Sequence, residues 1–554
     1  MPVSTGAEIY RHAALAECWR LASLLDRNPF SATRGSFSRT HWAWKFEDFP
    51  FPRLQEGLYA LARFYTLPGA DNVFYERADI TRWIEWGLEY WISRQHASGA
   101  FDEAYPFEQC VAATAFTSFY VGHAFVHHRE HLSPALQDRV TGALRRAGDW
   151  LVDNDETHGV LSNHLAVAAA ALELIARVSG DARHSHRAKE YLRRILAHQS
   201  AEGWMKEYDG ADIGYGTHGF FYLASYWQMT GCKETLAALQ RFARFLAYFV
   251  HPDGTVGGEY ASRNTEFYYA AGFEILATEC TASAGIAAKM RRSVAERRAC
   301  GVWAMDVYNF MPMLNNLLFA MDASKEGVAA DPVAYDRAPF STYFPECGLW
   351  VVNGECHYVI IGLSKGGTVS LFDKKQRRLA ARHSGIVAVA GTRRFTSQDY
   401  TIEPPVVWSE DGKSVTMQVP WKNLDQLVFS PALFVGFRLF NLTFGRLPAA
   451  SRWLKQLLVH VLIGRKRRPP IMHTRTLRLI AEVVYIEDDI AVPTGVESLV
   501  IAAQFASIHM GSSLYADIRA FEGSTMTIAF PCKERVRLNA TLGLSGAQWR
   551  METN

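Results

Sequence analysis

The stretch GWMKEYDGADIGYGTHGFFYLASY, residues 203–226, decides the fold. A Gly-aromatic turn opens it, two acids (Glu207 and Asp212), Tyr215 and His218 follow, and an aromatic run with helical spacing closes it. Weaker copies lie on either side: GAFDEAY from Gly99, GVLSNHL from Gly159 and GTVGGEYASRN from Gly254, at intervals of 60, 44 and 51 residues. Each copy ends one apolar-periodic run and begins another, so each interval holds one helical hairpin. Hairpins whose polar and aromatic loops share a phase stack into a solenoid or close into a toroid, with those loops on one rim. Helix caps and staples would explain a single such turn; they explain four in phase less well.

Working outward, residues 6–26 read as an amphipathic helix, followed by a turn-rich segment carrying Phe37, His41, Trp42, Trp44, Phe46, Phe49 and Phe51. Helical periodicity then recurs at 53–66, 79–95, 107–127, 134–152, 163–178, 184–199, 217–230, 233–250 and 265–283. After about residue 330 the texture changes to short alternating runs and turn dipeptides, such as Leu349 to Val352, the Asn353-Gly354 turn, then Cys356 to Gly362. The expected architecture is multidomain α + β: an N-terminal incomplete (α/α) toroid of helical hairpins followed by an antiparallel β-sandwich. Its parts are an N-terminal helix and aromatic loop (1–50), a toroid (51–330) and a sandwich (345–554) with a basic amphipathic insertion at 428–468.

That insertion holds eight Arg or Lys and no Asp or Glu among many Phe and Leu, and ends in RKRRPP. Three readings stand open for it: peripheral contact with an anionic membrane, a groove for an acidic polymer, and a hairpin packed on the toroid. The whole chain carries a formal charge of only +2, which argues against nucleic acid as a partner. Its 8 Cys lack CxxC spacing, and no His/Asp cluster has ligand spacing, so no metal and no disulfide framework is expected. The N-terminus lacks the n-region, h-region and cleavage site of a signal peptide, which predicts a cytoplasmic protein, with the inner membrane as a peripheral station. The oligomeric state is not legible.

The rim loops supply Asn163 and His164 from the second copy, Tyr215 and His218 from the third, and Tyr260, Arg263 and Asn264 from the fourth. Amide, imidazole, phenol and guanidinium together suit removal of a proton α to a carboxylate. Asn or Arg steadies the charge that builds on the carboxyl oxygens, and His or Tyr takes the proton. That is the chemistry of β-elimination at a uronate, and of C5 epimerisation if the proton returns to the other face. Trp204, like Trp42 and Trp44, offers a face for a sugar ring or for the core. A glycoside hydrolase would instead need two carboxylates, for which Glu103, Glu207, Asp212 and Glu259 are candidates. A toroid without turnover, binding polysaccharide or docking a synthase, is the third possibility.

Asn163-His164 in LSNHLAV and Tyr215 in DGADIGYGTH, set in a toroid followed by a sandwich, resemble the heparinase II/III-like polysaccharide lyases and their uronate-epimerase relatives. The resemblance implies that Asn163 neutralises the uronate carboxylate, that His164 is base or partner, and that Tyr215 is acid, base or both. It implies an acidic polysaccharide substrate bound with help from His218, Glu207, Asp212, Tyr260, Arg263, Asn264 and Trp204, and no cofactor. The group's further His from the first sandwich strands is matched here only by His357 in ECHYVIIGLSKGGTVSLFD, with His383 some way on.

Overall fold

The computed structural model describes residues 5–45, 47–156, 162–207, 210–424, 430–459, 468–501, 526–529 and 535–552. Helices Gly57–Thr66, Val111–His128, Ser162–Ser179, Ile213–Thr230, Ala271–Ile275 and Val307–Ala323 pack in succession as an inner ring. The last returns to the first, where Tyr59 stacks on Phe319 with ring centres 4.3 Å apart. Covered on every side, these helices need apolar or small residues all round: Leu165 to Leu172 is wholly buried, and its alanines let neighbours approach closely. Outer helices bury one stripe only. In Ala182–Ala197, His184, Ala188, Tyr191, Leu192 and Ile195 face inward while Arg183, His186, Lys189 and Arg193 meet water. The N-terminal run is two helices, Gly6–Leu15 and Cys18–Leu24, laid over the end of the ring. Tyr10 Oη donates to Glu274 Oε1 at 2.7 Å, and Arg20 Nη2 to the Met305 carbonyl at 2.6 Å.

Several helix boundaries differ from the periodicity, and two of the differences shape the site. The helix expected at 217–230 starts at Ile213, because Asp212 caps it by accepting from the Tyr215 N–H at 2.8 Å. Its glycines look like loop residues but serve close packing: a Cβ on Gly214 would lie 2.4 Å from Thr265 Oγ1. The helix expected at 265–283 shrinks to Ala271–Ile275, followed after a break by Thr281–Ala295. Residues before it are held against helix Ile213–Thr230 instead, with the Tyr269 N–H donating to Thr217 Oγ1 at 3.1 Å.

Three antiparallel sheets follow. The first runs Phe340–Phe344, Leu349–Asn353, His357–Gly362, Thr368–Asp373, Arg378–His383 in chain order. The second orders Val406–Trp408, Ser414–Gln418, Met472–Ile480, Val483–Ala491, Arg535–Gly543 and Gly546–Glu552. The third orders Lys422–Asn423, Arg393–Thr396, Ile386–Ala390, Ser498–Ile501 and Met526–Ala529. First and second sheets face each other through Val359, Ile361 and Leu371 against Leu477, Val484 and Ile486. The first sheet's other face, with Val351, Tyr358 and Ile360, joins the core of the helical domain. Burial on both faces explains the unbroken apolar runs LWVV and YVII, whereas Met472–Ile480 alternates buried and open positions.

The insertion forms helices Pro431–Leu442 and Pro448–Val459. Its inner side sits on the first rim loop: Lys455 Nζ lies 3.1 Å from Glu108 Oε1, Ser451 Oγ donates to the Phe107 carbonyl at 2.9 Å, and the Phe437 ring meets Tyr105 at 5.2 Å. Arg438 pairs with Asp48 at 3.0 Å. The toroid-packed reading therefore accounts for that side. Residues 428, 429 and 460–467 of the insertion lie outside the described residues. Among the described residues, no helix is long and apolar enough to cross a membrane.

Candidate active site

Phe116, buried in the inner ring, is the hub of the site. Its ring centre lies 5.8 Å from His164, 5.7 Å from His218 and 5.5 Å from Tyr222, and the Arg53 guanidinium sits over it at 4.1 Å. His218 stacks on Tyr269 at 3.9 Å, and Phe267 touches both Tyr269 and Tyr215. The second, third and fourth rim loops thus converge on one wall, together with Arg53 from the turn Pro52–Glu56.

Asn163 and His164 occupy the first turn of helix Ser162–Ser179. Glu207 fixes the first of them twice: Oε1 accepts the Asn163 backbone N–H and Oε2 the side-chain amide, both at 2.7 Å. Burial pushes the Glu207 carboxyl up to about 8, against the pull of the Asn163 donors and Arg263. His164 turns Nδ1 to Glu156 Oε2 at 3.1 Å while about a quarter of its side chain stays open. A carboxylate on one ring nitrogen orients the imidazole and directs the other nitrogen outward.

Tyr215, half-buried, projects from the first turn of its helix, and the Arg263 guanidinium lies 5.4 Å from the centre of its ring. Asn264, next to Arg263, takes a left-handed φ of 58°, which Asn tolerates better than most residues; among the described residues its buried Oδ1 has no hydrogen-bond partner. Asp212 is raised by burial and opposed by Thr265, the Tyr215 N–H, Arg263 and Lys365. His218 donates to or accepts from Tyr222 Oη at 2.8 Å, and burial holds it well below the usual imidazole range, so it is neutral.

Other expected site residues lie elsewhere. Tyr260 is buried, with its hydroxyl on His251 Nε2 at 2.8 Å, and His251 in turn stacks on Phe372 of the first sheet. Trp204 donates to Glu202 Oε2 at 2.8 Å, and Glu202 also accepts the Glu346 N–H at 2.7 Å, so this indole is part of the joint between helices and sheets. His357 faces Glu482 at 3.7 Å near the Gly354 turn. His383 is buried between Arg475 Nη2, at 3.1 Å, and the Trp549 ring, and burial lowers it to about 3. The sandwich reaches the rim instead through Lys365, whose Nζ donates to the Ser262 carbonyl at 2.8 Å, and through Tyr400, which packs against Gly210.

Sequence reasoning missed Arg53, Phe116, Glu156, Tyr222, Tyr269, Lys365 and Tyr400. The signal for Arg53 was its spacing to Glu56, which accepts from it at 2.9 Å, and for Lys365 a lone cation between apolar strands. Phe116 gave none, being one apolar residue in an apolar helix. Of the four carboxylates singled out for hydrolysis, Glu103 is engaged by Arg53, Glu207 by Asn163 and Glu259 by Arg382, while Asp212 is engaged by Tyr215 and Thr265 through Oδ1 only. Two groups of ligand-type side chains exist among the described residues, Glu103/Glu108/Cys110 and Asp149/Asp181/His184, and in each the carboxylates are paired with Arg or Lys.

Residues 51–272 match the family model described as the Ulvan lyase N-terminal domain. Among solved structures, a Streptomyces coelicolor A3 chondroitin AC lyase in complex with chondroitin sulphate is similar with a TM-score of 0.56 at 10% identity, covering 90% of this chain and 68% of that one. A Paenibacillus xanthan lyase is similar with a TM-score of 0.54 at 10% identity over 90% of this chain, which spans 47% of the xanthan lyase chain. No curated protein matches the chain. At such identity the solved structures speak for the fold, a helical toroid followed by antiparallel sheets. The family model covers the part of the helical domain that holds the rim loops, and together they bear out the resemblance to the heparinase II/III-like group of polysaccharide lyases.

Proposed function

We propose that the protein is a lyase that cleaves an acidic polysaccharide by β-elimination at a uronate. The observation that carries this reading is the pairing of an immobilised amide, Asn163 clamped by Glu207, with a phenol beside a guanidinium, Tyr215 and Arg263. In the proposed reaction the uronate carboxylate lies against Asn163 and Arg263, which steady the charge gathering there as C5 loses its proton. His164, oriented by Glu156, takes that proton; the C5–H electron pair becomes the C4–C5 double bond; the C4–O bond breaks; and Tyr215 protonates the leaving oxygen. Neutral His218 fixes the wall through Tyr222 and Tyr269 rather than exchanging protons. The engaged state of Glu103, Glu207 and Glu259 leaves Asp212 alone with an uncommitted carboxyl oxygen and favours elimination over hydrolysis, since a hydrolase needs two carboxyl groups directed at the substrate.

The test is incubation with a panel of uronate polysaccharides in deuterated water. Near-ultraviolet absorbance from an unsaturated product supports the lyase. Deuterium at C5 without absorbance makes the protein an epimerase, and cleavage without either makes it a hydrolase. Binding with no change in the polymer would leave a polysaccharide-binding toroid.

A further inference from the structure

Nine of the 22 exposed large apolar side chains among the described residues lie on the outer side of the insertion. Leu433, Phe434, Val435, Leu439 and Leu442 on its first helix are 45–60% exposed, Phe444 and Leu447 in the turn are 63% and 59% exposed, and Trp453 and Leu457 on the second are 57% and 41% exposed. The same hairpin turns Lys455, Ser451 and Phe437 inward to the toroid, so the helices are already docked, and the apolar residues face away from a fixed base. From 428 to 468 every charged residue is Arg or Lys; Arg438 and Lys455 are paired with Asp48 and Glu108, and Arg446 in the turn is exposed.

We infer that this hairpin is a monotopic anchor that lays its apolar face into the interface of an anionic lipid bilayer. Each helix has 12 described residues, about 18 Å against a hydrocarbon core of about 30 Å, and no described helix is long and apolar enough to cross a membrane. Such helices lie in the interface plane, with aliphatic and aromatic side chains at the acyl boundary and cations at the headgroups. An acidic polymer would meet the cations but leave Val435, Leu439 and Leu457 in water. A second copy would set against each other two hairpins that contain no acid, with no counter-charge for the exposed Arg446 of either. A bilayer with anionic headgroups satisfies both components at once. The inference goes beyond the proposed lyase activity and stands whether or not that activity is found.

The experiment is flotation of the full chain with vesicles of phosphatidylcholine alone and of phosphatidylcholine mixed with phosphatidylglycerol, with light scattering on the lipid-free protein. Expected are binding to the mixed vesicles, weaker binding to phosphatidylcholine, and a fall with added salt. The double variant Leu439→Glu/Trp453→Glu should lower the affinity for mixed vesicles at least about tenfold, because two large apolar side chains no longer enter the interface. A second double variant, Phe434→Ser/Leu457→Ser, tests the same face without adding charge and should also weaken binding. Absence of binding to mixed vesicles, or binding that neither double variant changes, overturns the inference. So does a dimer in the lipid-free protein that the variants dissolve, which would assign the face to a second copy, or salt-sensitive retention on an acidic polysaccharide column that the serine variant abolishes, which would assign it to the polymer.

Discussion

The wall around Phe116 and the outer face of the 431–459 hairpin break the usual rule of burial in opposite directions. The wall puts Glu207, Asp212, Asn163 and His218 almost wholly out of water, and the hairpin leaves Leu439, Phe444 and Trp453 in it. A buried polar group costs stability unless its partners are in place, so the wall is a network of mutual obligations: Glu207 holds Asn163, Asp212 holds the Tyr215 backbone, Tyr222 holds His218. An exposed apolar side chain has no such dependence. The difference teaches that substitutions of the buried, bonded groups of the wall act on turnover and stability together, whereas substitutions on the hairpin face act only when something covers it.

The largest expected effect is on Tyr215. If it protonates the leaving oxygen, Tyr215→Phe lowers kcat by about a hundred- to ten-thousand-fold with little change in melting temperature, measured as the rate of unsaturated product formation. Under a hydrolase mechanism the order reverses, and Glu207→Gln is the inactive variant. Asn163→Ala comes next, with kcat down about a hundredfold or more and stability down by about 1–3 kcal/mol, because Glu207 then keeps a buried carboxyl with one donor gone. Thermal melts read beside activity separate these two variants: the first touches chemistry alone, the second touches both.

The helical ring was legible because inner and outer helices write different periodicities and because the rim loops repeat. The sandwich was legible from turn dipeptides and alternation, less so in the first sheet, where burial on two faces erased the alternation. In the candidate site, Asn163, His164 and Tyr215 could be picked out because they are polar residues at loop phase. Tyr260 and Trp204 shared that phase and yet went to the interior joint, since phase tells which end of a helix a residue is on and not which way it points. Arg53 and Phe116 are placed by ring closure, which brings residues far apart in sequence side by side, and a linear reading has no access to that.

A smaller effect follows from Glu207. Its carboxyl is raised from an ordinary value near 4.5 to about 8, so in between the folded chain holds a proton that the unfolded chain has lost. Its contribution to stability is thus complete below about pH 4.5, declines as pH rises, and levels off above about pH 8. Activity should run the other way: only the ionised carboxylate can accept from both Asn163 donors without a competing O–H, so kcat climbs with a midpoint near 8. Glu207→Gln should flatten both profiles, read by urea midpoints and by initial rates across the range. A rate that climbs unchanged in Glu207→Gln would move the titration to another group.

The smallest expected effect is the one that most sharply divides the two regions. Leu454 and Leu457 lie three residues apart on the second insertion helix, the first 8% exposed and the second 41%. Truncating Leu454 removes packing beneath the hairpin and should cost about 2 kcal/mol or more in the lipid-free protein. Leu457→Ser or Leu439→Ser removes a side chain that water already surrounds, and should change stability by no more than about 0.5 kcal/mol. Chemical denaturation of the three variants in the absence of lipid provides the comparison. If Leu439→Ser proved as costly as Leu454→Ala, the outer face would be covered in solution by another part of this chain or by a second copy, and the contrast between an obligate wall and an unobligated face would fail. If the costs differ as expected while vesicle binding falls for Leu439→Ser, the exposed residues contribute nothing to the fold they sit on and are retained for what they touch outside it.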